Sequence, residues 1–131
     1  EAQRADDGRR QIGDTFWDWG IPSAGSVAQL SGLDLGICAT GGISNGLMIA
    51  KAIALGATAG GIARPFLQAH ANGGIDGVRN FAKRVIDEIR IAALLTGSRD
   101  MAALRRAPLI VEPRLQRWIP SGTPLALRLG L

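Results

Sequence analysis

Two short stretches, Gly41-Gly42-Ile43-Ser44 and Gly60-Gly61-Ile62-Ala63-Arg64, hold the residue types best suited to chemistry in this chain. Glycine weakens helices and strands, so paired glycines about one βαβ unit apart need a reason in backbone geometry or close approach. One reason is an anion held against bare backbone amides. Free N–H groups at the start of a helix, aided by the helix dipole, attract a phosphate, and glycine lets the oxygens come near. The Ser44 hydroxyl and the Arg64 guanidinium are in the right places to add side-chain contacts, and Arg64 can do so with two bonds. The plainer reason is two tight turns in an α/β protein, and the residues alone leave both open.

Other chemistry is poorly served. Cys38 is the only cysteine, so it has no disulfide partner and no second thiol for a metal site; its apolar surroundings, "LGICAT", predict a buried, reduced core thiol. His70 is the only histidine and has no ligand-spaced Cys or His beside it. Asp87 and Glu88 fall on the polar face of a predicted helix and are expected to be solvated. No catalytic residue and no metal ligand is assigned.

The elements that position the two glycine stretches follow from hydrophobic pattern. "LGICAT", Leu35 to Thr40, and "TAGGIA", Thr58 to Ala63, read as short strands buried on both faces. Asn45 caps a helix over Gly46–Leu55, and Gly56 stands where a C′ residue belongs. The result is a right-handed parallel βαβ unit with the helix in the crossover. Pro65 suits the first turn of the next helix. A long amphipathic helix follows over about Gly74 to Thr96, with Ile75, Val78, Ala82, Val85, Ile89 and Ala92 as its apolar stripe. Upstream, Ile12, Phe16 and Trp19 give Asp7–Trp19 a helical face, and Ser26–Leu30 makes one more turn. Asp100–Arg106 adds a short helix, and residues from about 108 to 131 read as an irregular tail.

Two parallel strands leave unpaired edges. Lys51 is the only charge on Gly46–Leu55, so nearly every face of that helix asks for burial, and the expectation is that something outside the chain covers it. The first residue is Glu1 and not Met, in keeping with a processed product or part of something longer. At 131 residues and 47% hydrophobic content the chain suffices for one globular segment. Its apolar run Leu47–Leu55 is too short to span a bilayer, and the absence of a basic-then-apolar run at the start of the sequence sets the expectation of no leader. The expectation is a cytoplasmic protein with no membrane contact. Fifteen Lys and Arg against eleven Asp and Glu give a net charge of +4. The excess gathers at Arg99, Arg105, Arg106, Arg114 and Arg117 with only Trp118 nearby, which predicts a solvated basic face and no nucleic-acid partner.

The same residues resemble a known family. "ATGGISNGLMIAKAIALGATAGGIARPFL" is similar to the last two βα units of FMN-dependent barrel enzymes, which carry a Gly-Gly-Ile-Arg-x-Gly run and then a Gly-x-x-Arg-Pro turn. "FWDWGIPSAGSVAQL" and "IDEIRIAALLTGSRDMAALRRAPLIV" resemble segments of type 2 isopentenyl-diphosphate isomerases, and "EAQRADDGRR" resembles their stretch beyond strand six. The resemblance implies an α/β fold, the C-terminal portion of a (β/α)8 TIM barrel comprising the last two βα units plus C-terminal helices. It implies an isomerase that interconverts isopentenyl and dimethylallyl diphosphate with reduced FMN, Mg2+ and NADPH as flavin reductant. Gly42, Ile43, Ser44, Ala63 and Arg64 would line the FMN phosphate, with Gly41 a neighbouring turn residue. Ser44 stands where the commoner pattern has arginine. The family's catalytic and magnesium-binding residues lie on earlier strands, so the segment alone is expected to be inactive. It is expected to depend on the remaining N-terminal barrel or a homo-oligomer partner. Two rival readings remain: an FMN-dependent 2-hydroxy-acid oxidase barrel segment, and a non-catalytic fragment that folds only with a partner. The oxidase would want a His-x-x-Arg pair before the Gly-Gly-Ile turn, whereas His70 follows it.

Overall fold

The computed structural model describes residues 7–131; the first six residues of the "EAQRADDGRR" stretch lie outside them. The elements run α1 (Asp7–Thr15), α2 (Ser23–Leu30), β1 (Cys38–Ala39), α3 (Gly46–Leu55), β2 (Ala59–Gly60), α4 (Arg64–Leu95), α5 (Met101–Arg105), α6 (Pro113–Gln116) and α7 (Pro124–Leu129). The architecture is α/β and mostly helical, with one pair of parallel strands in which Cys38 stands beside Ala59 and Ala39 beside Gly60. The strands are shorter than the apolar runs suggested, because ladder pairing involves only two residues on each side.

Helix α3 has the predicted bounds and caps. Asn45 accepts from the Met48 amide, and the Gly56 amide, at φ +121°, returns to the Ala52 and Ile53 carbonyls. Its face Ile49, Ala50, Ala52, Ile53, Ala54 and Leu55 is buried, while Leu47, Met48 and Lys51 stay exposed. The cover expected from outside is largely supplied by the chain itself. Val27 and Ala28 of α2, Phe81 and Val85 of α4, Leu104 of α5, and Ile119, Leu125 and Ala126 near the end form one cluster with α3.

That cluster also corrects the view of the C-terminal tail. Residues 113–116 and 124–129 are helical, and Thr123 caps α7 by accepting from the Ala126 amide. Trp118 packs so closely on α2 that a Cβ at Gly25 would lie 3.0 Å from its ring. The scattered apolar residues of this region are the lid of the core.

Helix α4 is two helices joined at a kink. Gly73 and Gly74 leave helical geometry, with Gly74 at φ +57°, so residues 64–72 and 75–95 form separate rods. The T-shaped pair Phe66–Phe81, with centroids 4.7 Å apart, spans the kink. Val85 and Ala92 of the predicted stripe are buried, as is Phe81, which was not on it, while Ile75 of that stripe is exposed.

Two surfaces stay uncovered by the described residues. The sheet presents Ala39 and Gly60 to Ile49 of α3, and its opposite face, with Cys38, Thr40 and Ala59, is open. Cys38 is therefore exposed and not the buried thiol predicted: strand alternation turns it away from α3. The second surface is α1 and the turn after it, where Phe16 and Trp19 stack edge to face at 5.9 Å with Trp19 83% exposed. The helix predicted over Asp7–Trp19 ends at Thr15, so Phe16 and Trp19 fall in the turn after it, and Ile12, Phe16 and Trp19 are all exposed.

Candidate functional site

The two glycine pairs have different physical reasons. Gly41 and Gly42 both adopt left-handed backbone, at φ +81° and +80°, so they are turn residues that a side chain would strain. Gly60 and Gly61 have ordinary backbone but no room: a Cβ at Gly60 would lie 2.7 Å from Ile49 Cγ1, and one at Gly61 2.8 Å from Thr40 Cγ2. The first pair shapes a loop and the second lets that loop's neighbours pack closely.

Both stretches open onto one cleft at the C-terminal ends of the strands. Its volume is about 550 Å³, and Gly41, Gly42, Ile43, Ser44, Ala63 and Arg64, every residue singled out from the sequence, are on its wall. Thr40, Gly61, Ile62 and Pro65 complete the lining.

The donors in this cleft are mostly main-chain. The amides of Gly42, Ile43 and Ser44 on one side, and of Ala63 and Arg64 on the other, make no hydrogen bond to another described residue. Ala63 is the N-cap of α4 and has no side chain to satisfy that helix end. Ser23, from α2, donates through Oγ to the Gly41 carbonyl at 2.8 Å. In a trans peptide the carbonyl and the following N–H point in opposite directions, so this bond turns the Gly42 amide away from α2. A Cβ built on Gly42 would meet no atom within 4 Å, which means that the loop faces open space there. Arg64 is exposed and has no ion-pair partner among the described residues. The Ser44 hydroxyl is engaged locally, 3.4 Å from Met48 Sδ.

One sequence inference needs correction here. Two amides at the start of α3 are already taken: that of Met48 by Asn45, and that of Gly46 by Glu88 of α4, whose Oε2 accepts at 2.6 Å. Glu88 is thus not a solvated carboxylate, because α4 passes close enough to deliver it. Asp87, beside it, pairs with Arg90 on the surface. The amides left without a partner at the first stretch are therefore those of the loop and not those of Gly46 and Met48 at the tip of α3. Glu88 was visible as a residue, but its distance of 42 positions from Gly46 hid its role.

A carboxylate cluster for a metal is missing: among the described residues no group of three or more His, Cys, Asp or Glu could hold one. His70 is exposed.

Residues 23–111, which contain the whole cleft, match the family of FMN-dependent dehydrogenases. The chain belongs to that family. Among curated relatives, a protein named isopentenyl-diphosphate delta-isomerase, from Thermococcus kodakarensis, is 43% identical over 105 residues, covering 79% of this chain and 28% of the relative. Proteins of the same name from Pyrococcus horikoshii and Pyrobaculum islandicum are 40% and 44% identical, covering 91% and 85% of this chain. The chain spans between 28% and 33% of the length of these relatives. Within this FMN-dependent dehydrogenase segment the matched stretch ends at residue 111, before α6 and α7. The family match therefore includes β1, α3, β2 and α4, the four elements that build the cleft.

Proposed function

We propose that this chain is the C-terminal portion of a (β/α)8 barrel and supplies the phosphate half of an FMN site in an isopentenyl-diphosphate isomerase. The observation that carries the reading is the convergence of two sets of unpaired amides, with Arg64, on one cleft at the strand ends. That donor set suits a phosphate monoester: backbone N–H groups for the oxygens, a guanidinium for the charge, and no side chain on Gly42 to fill the space. The parallel β1–α3–β2 unit, with its face of Cys38, Thr40 and Ala59 open, supports the barrel reading, since that face would then look into the barrel interior.

FMN, when bound, supplies its reactive isoalloxazine ring; the residues of this chain hold the opposite end. Gly42, Ile43 and Ser44 would donate amides from one side and Ala63 and Arg64 from the other. Arg64 would neutralise charge, and Gly41, fixed by Ser23, would set the turn. The proton transfers of an allylic shift need an acid and a base, and we place these on the part of the enzyme outside residues 1–131. The reading further includes Mg2+ for the diphosphate, NADPH as flavin reductant, a cytoplasmic location, and the remaining barrel or a second copy as partner. Residues 1–131 form one segment of that enzyme and not a separate domain. A 2-hydroxy-acid oxidase is disfavoured because the family's His-x-x-Arg pair has no counterpart before Gly41 and because the relatives above are named as isomerases.

The decisive assay offers isopentenyl diphosphate, reduced FMN and Mg2+ to the intact protein and, separately, to the isolated 131-residue segment. Isomerisation by the intact protein and none by the segment is expected. A parallel assay of the intact protein with oxidised FMN and a 2-hydroxy acid covers the rival: oxidation there without isomerisation would replace the reading, and turnover of isopentenyl diphosphate by the segment would bring the catalytic groups within residues 1–131.

A further inference from the structure

The contact between Glu88 and the start of α3 places a fixed negative charge beside a cleft built for an anion. Gly46 is buried, and its amide donates to Glu88 Oε2 at 2.6 Å. The approach leaves no slack: a Cβ at Gly46 would lie 2.2 Å from the Val85 carbonyl oxygen and 2.8 Å from Glu88 Cβ. The Glu88 side chain is 32% exposed, and its other oxygen has only a long contact, 3.8 Å, with Arg84 Nε. Arg84 is itself 65% exposed, so it neutralises the carboxylate only in part.

Gly46 follows Ser44 by two residues, so the carboxylate stands within roughly 10 Å of the Ser44 amide, the nearest of the loop donors. An acidic group at a helix N-terminus stabilises the helix, but here it also repels whatever anion the loop receives. We propose that Glu88 is a positioning residue with two opposed effects on the phosphate site. It pins the end of the Gly41–Asn45 loop through Gly46, which aims the amides of residues 42–44, and it occupies the α3 tip, which confines the phosphate to the loop. Its charge weakens the site it shapes, so the cofactor is held less tightly than the donor set alone would allow. This rests on the phosphate reading of the cleft.

The test is FMN and riboflavin titration of the intact protein carrying Glu88→Gln or Glu88→Ala. Glutamine keeps an oxygen for the Gly46 amide and removes the charge, so FMN affinity should rise about three- to fivefold at low salt and the gain should shrink as salt is added. Riboflavin, which lacks the phosphate, should bind the Glu88→Gln variant and the parent equally. Alanine removes the pin as well, so FMN affinity should fall. A purely structural carboxylate would give no gain with glutamine, and FMN affinity equal to or below the parent's in Glu88→Gln overturns the proposal whether or not the alanine variant folds. Gly42→Val serves as the control. If it leaves FMN binding intact, the phosphate reading of the cleft fails and takes this proposal with it; if it abolishes binding while Glu88→Gln changes nothing, only the role of Glu88 is lost.

Discussion

The two ends of α3 meet the same helix dipole with opposite solutions. At the N-terminal end the loop before the helix keeps the amides of Gly42, Ile43 and Ser44 unpaired, with only Asn45 and Glu88 capping the first turn. At the C-terminal end the carbonyls of Ala52, Ile53 and Ala54 are taken. Arg128 of α7 donates to the Ala54 and Arg105 carbonyls, and Arg105 of α5 donates to the Ala57 carbonyl at 3.1 Å. Cations at a helix C-terminus are favoured by the dipole, and burial draws the Arg128 guanidinium below its ordinary pKa, so desolvation offsets part of what those bonds contribute. Arg105, predicted as part of a solvated basic face, is therefore a bracket between α5 and the end of α3. The contrast teaches where free donors and stabilising bonds are kept apart. Donors are left free at the end that faces the cleft, and the opposite end is bonded shut by segments that reach it from far along the chain.

That division can be broken from either side. The largest effect is expected at the open end: Gly42→Val in the intact protein should weaken FMN binding about a hundredfold. A Cβ there projects into space that the loop leaves open, and a β-branched residue resists φ near +80°. Flavin retained through gel filtration would measure it, and unchanged retention would refute the site. At the closed end, Arg128→Met should lower unfolding free energy by about 2 kcal/mol at most, through lost carbonyl bonds, with FMN affinity unchanged. A denaturant midpoint and a flavin titration on the same sample would show whether the two ends are independent. Asn45→Ala removes the α3 cap and should cost about 1 kcal/mol in the same denaturation experiment, with some loosening of FMN because the loop is adjacent. Ser44→Ala should be the mildest, changing FMN affinity less than about threefold, since its hydroxyl is engaged with Met48 and the main chain carries the contact. A loss as large as that of Gly42→Val would make the serine hydroxyl, and not the amides, the principal ligand.

Much of the βαβ unit was legible in the chain because its signals are local. Asn45 and Gly56 bracket α3 to the residue, and apolar runs bounded by glycine marked both strands. Periodicity also found the start of α1 and the long rod after Gly74, though it carried α1 four residues too far and could not say that Phe16 and Trp19 would stay exposed among the described residues. The errors share one origin. Cys38 looked buried because its neighbours are apolar, yet only the sheet's orientation against α3 decides which alternate residues are covered. Glu88 looked solvated because its helix has a polar face, yet the packing of α4 on α3 brings that face to the Gly46 amide. The tail looked irregular because two proline-led helices of four and six residues leave little periodicity to read.

By itself, then, the sequence determined the order of the elements from α1 to α5, the caps of α3 and six of the ten residues that line the cleft, because turn glycines, N-caps and strand ends are properties of adjacent residues. Tertiary structure alone decided which amides stay free, which carboxylate and which arginines take the others, and which face of the sheet is open. Those outcomes depend on side chains separated by 42 positions for Glu88 and Gly46, and by 74 for Arg128 and Ala54. No local pattern encodes such a separation; it is fixed only when packing brings the segments together and each buried polar group finds its partner.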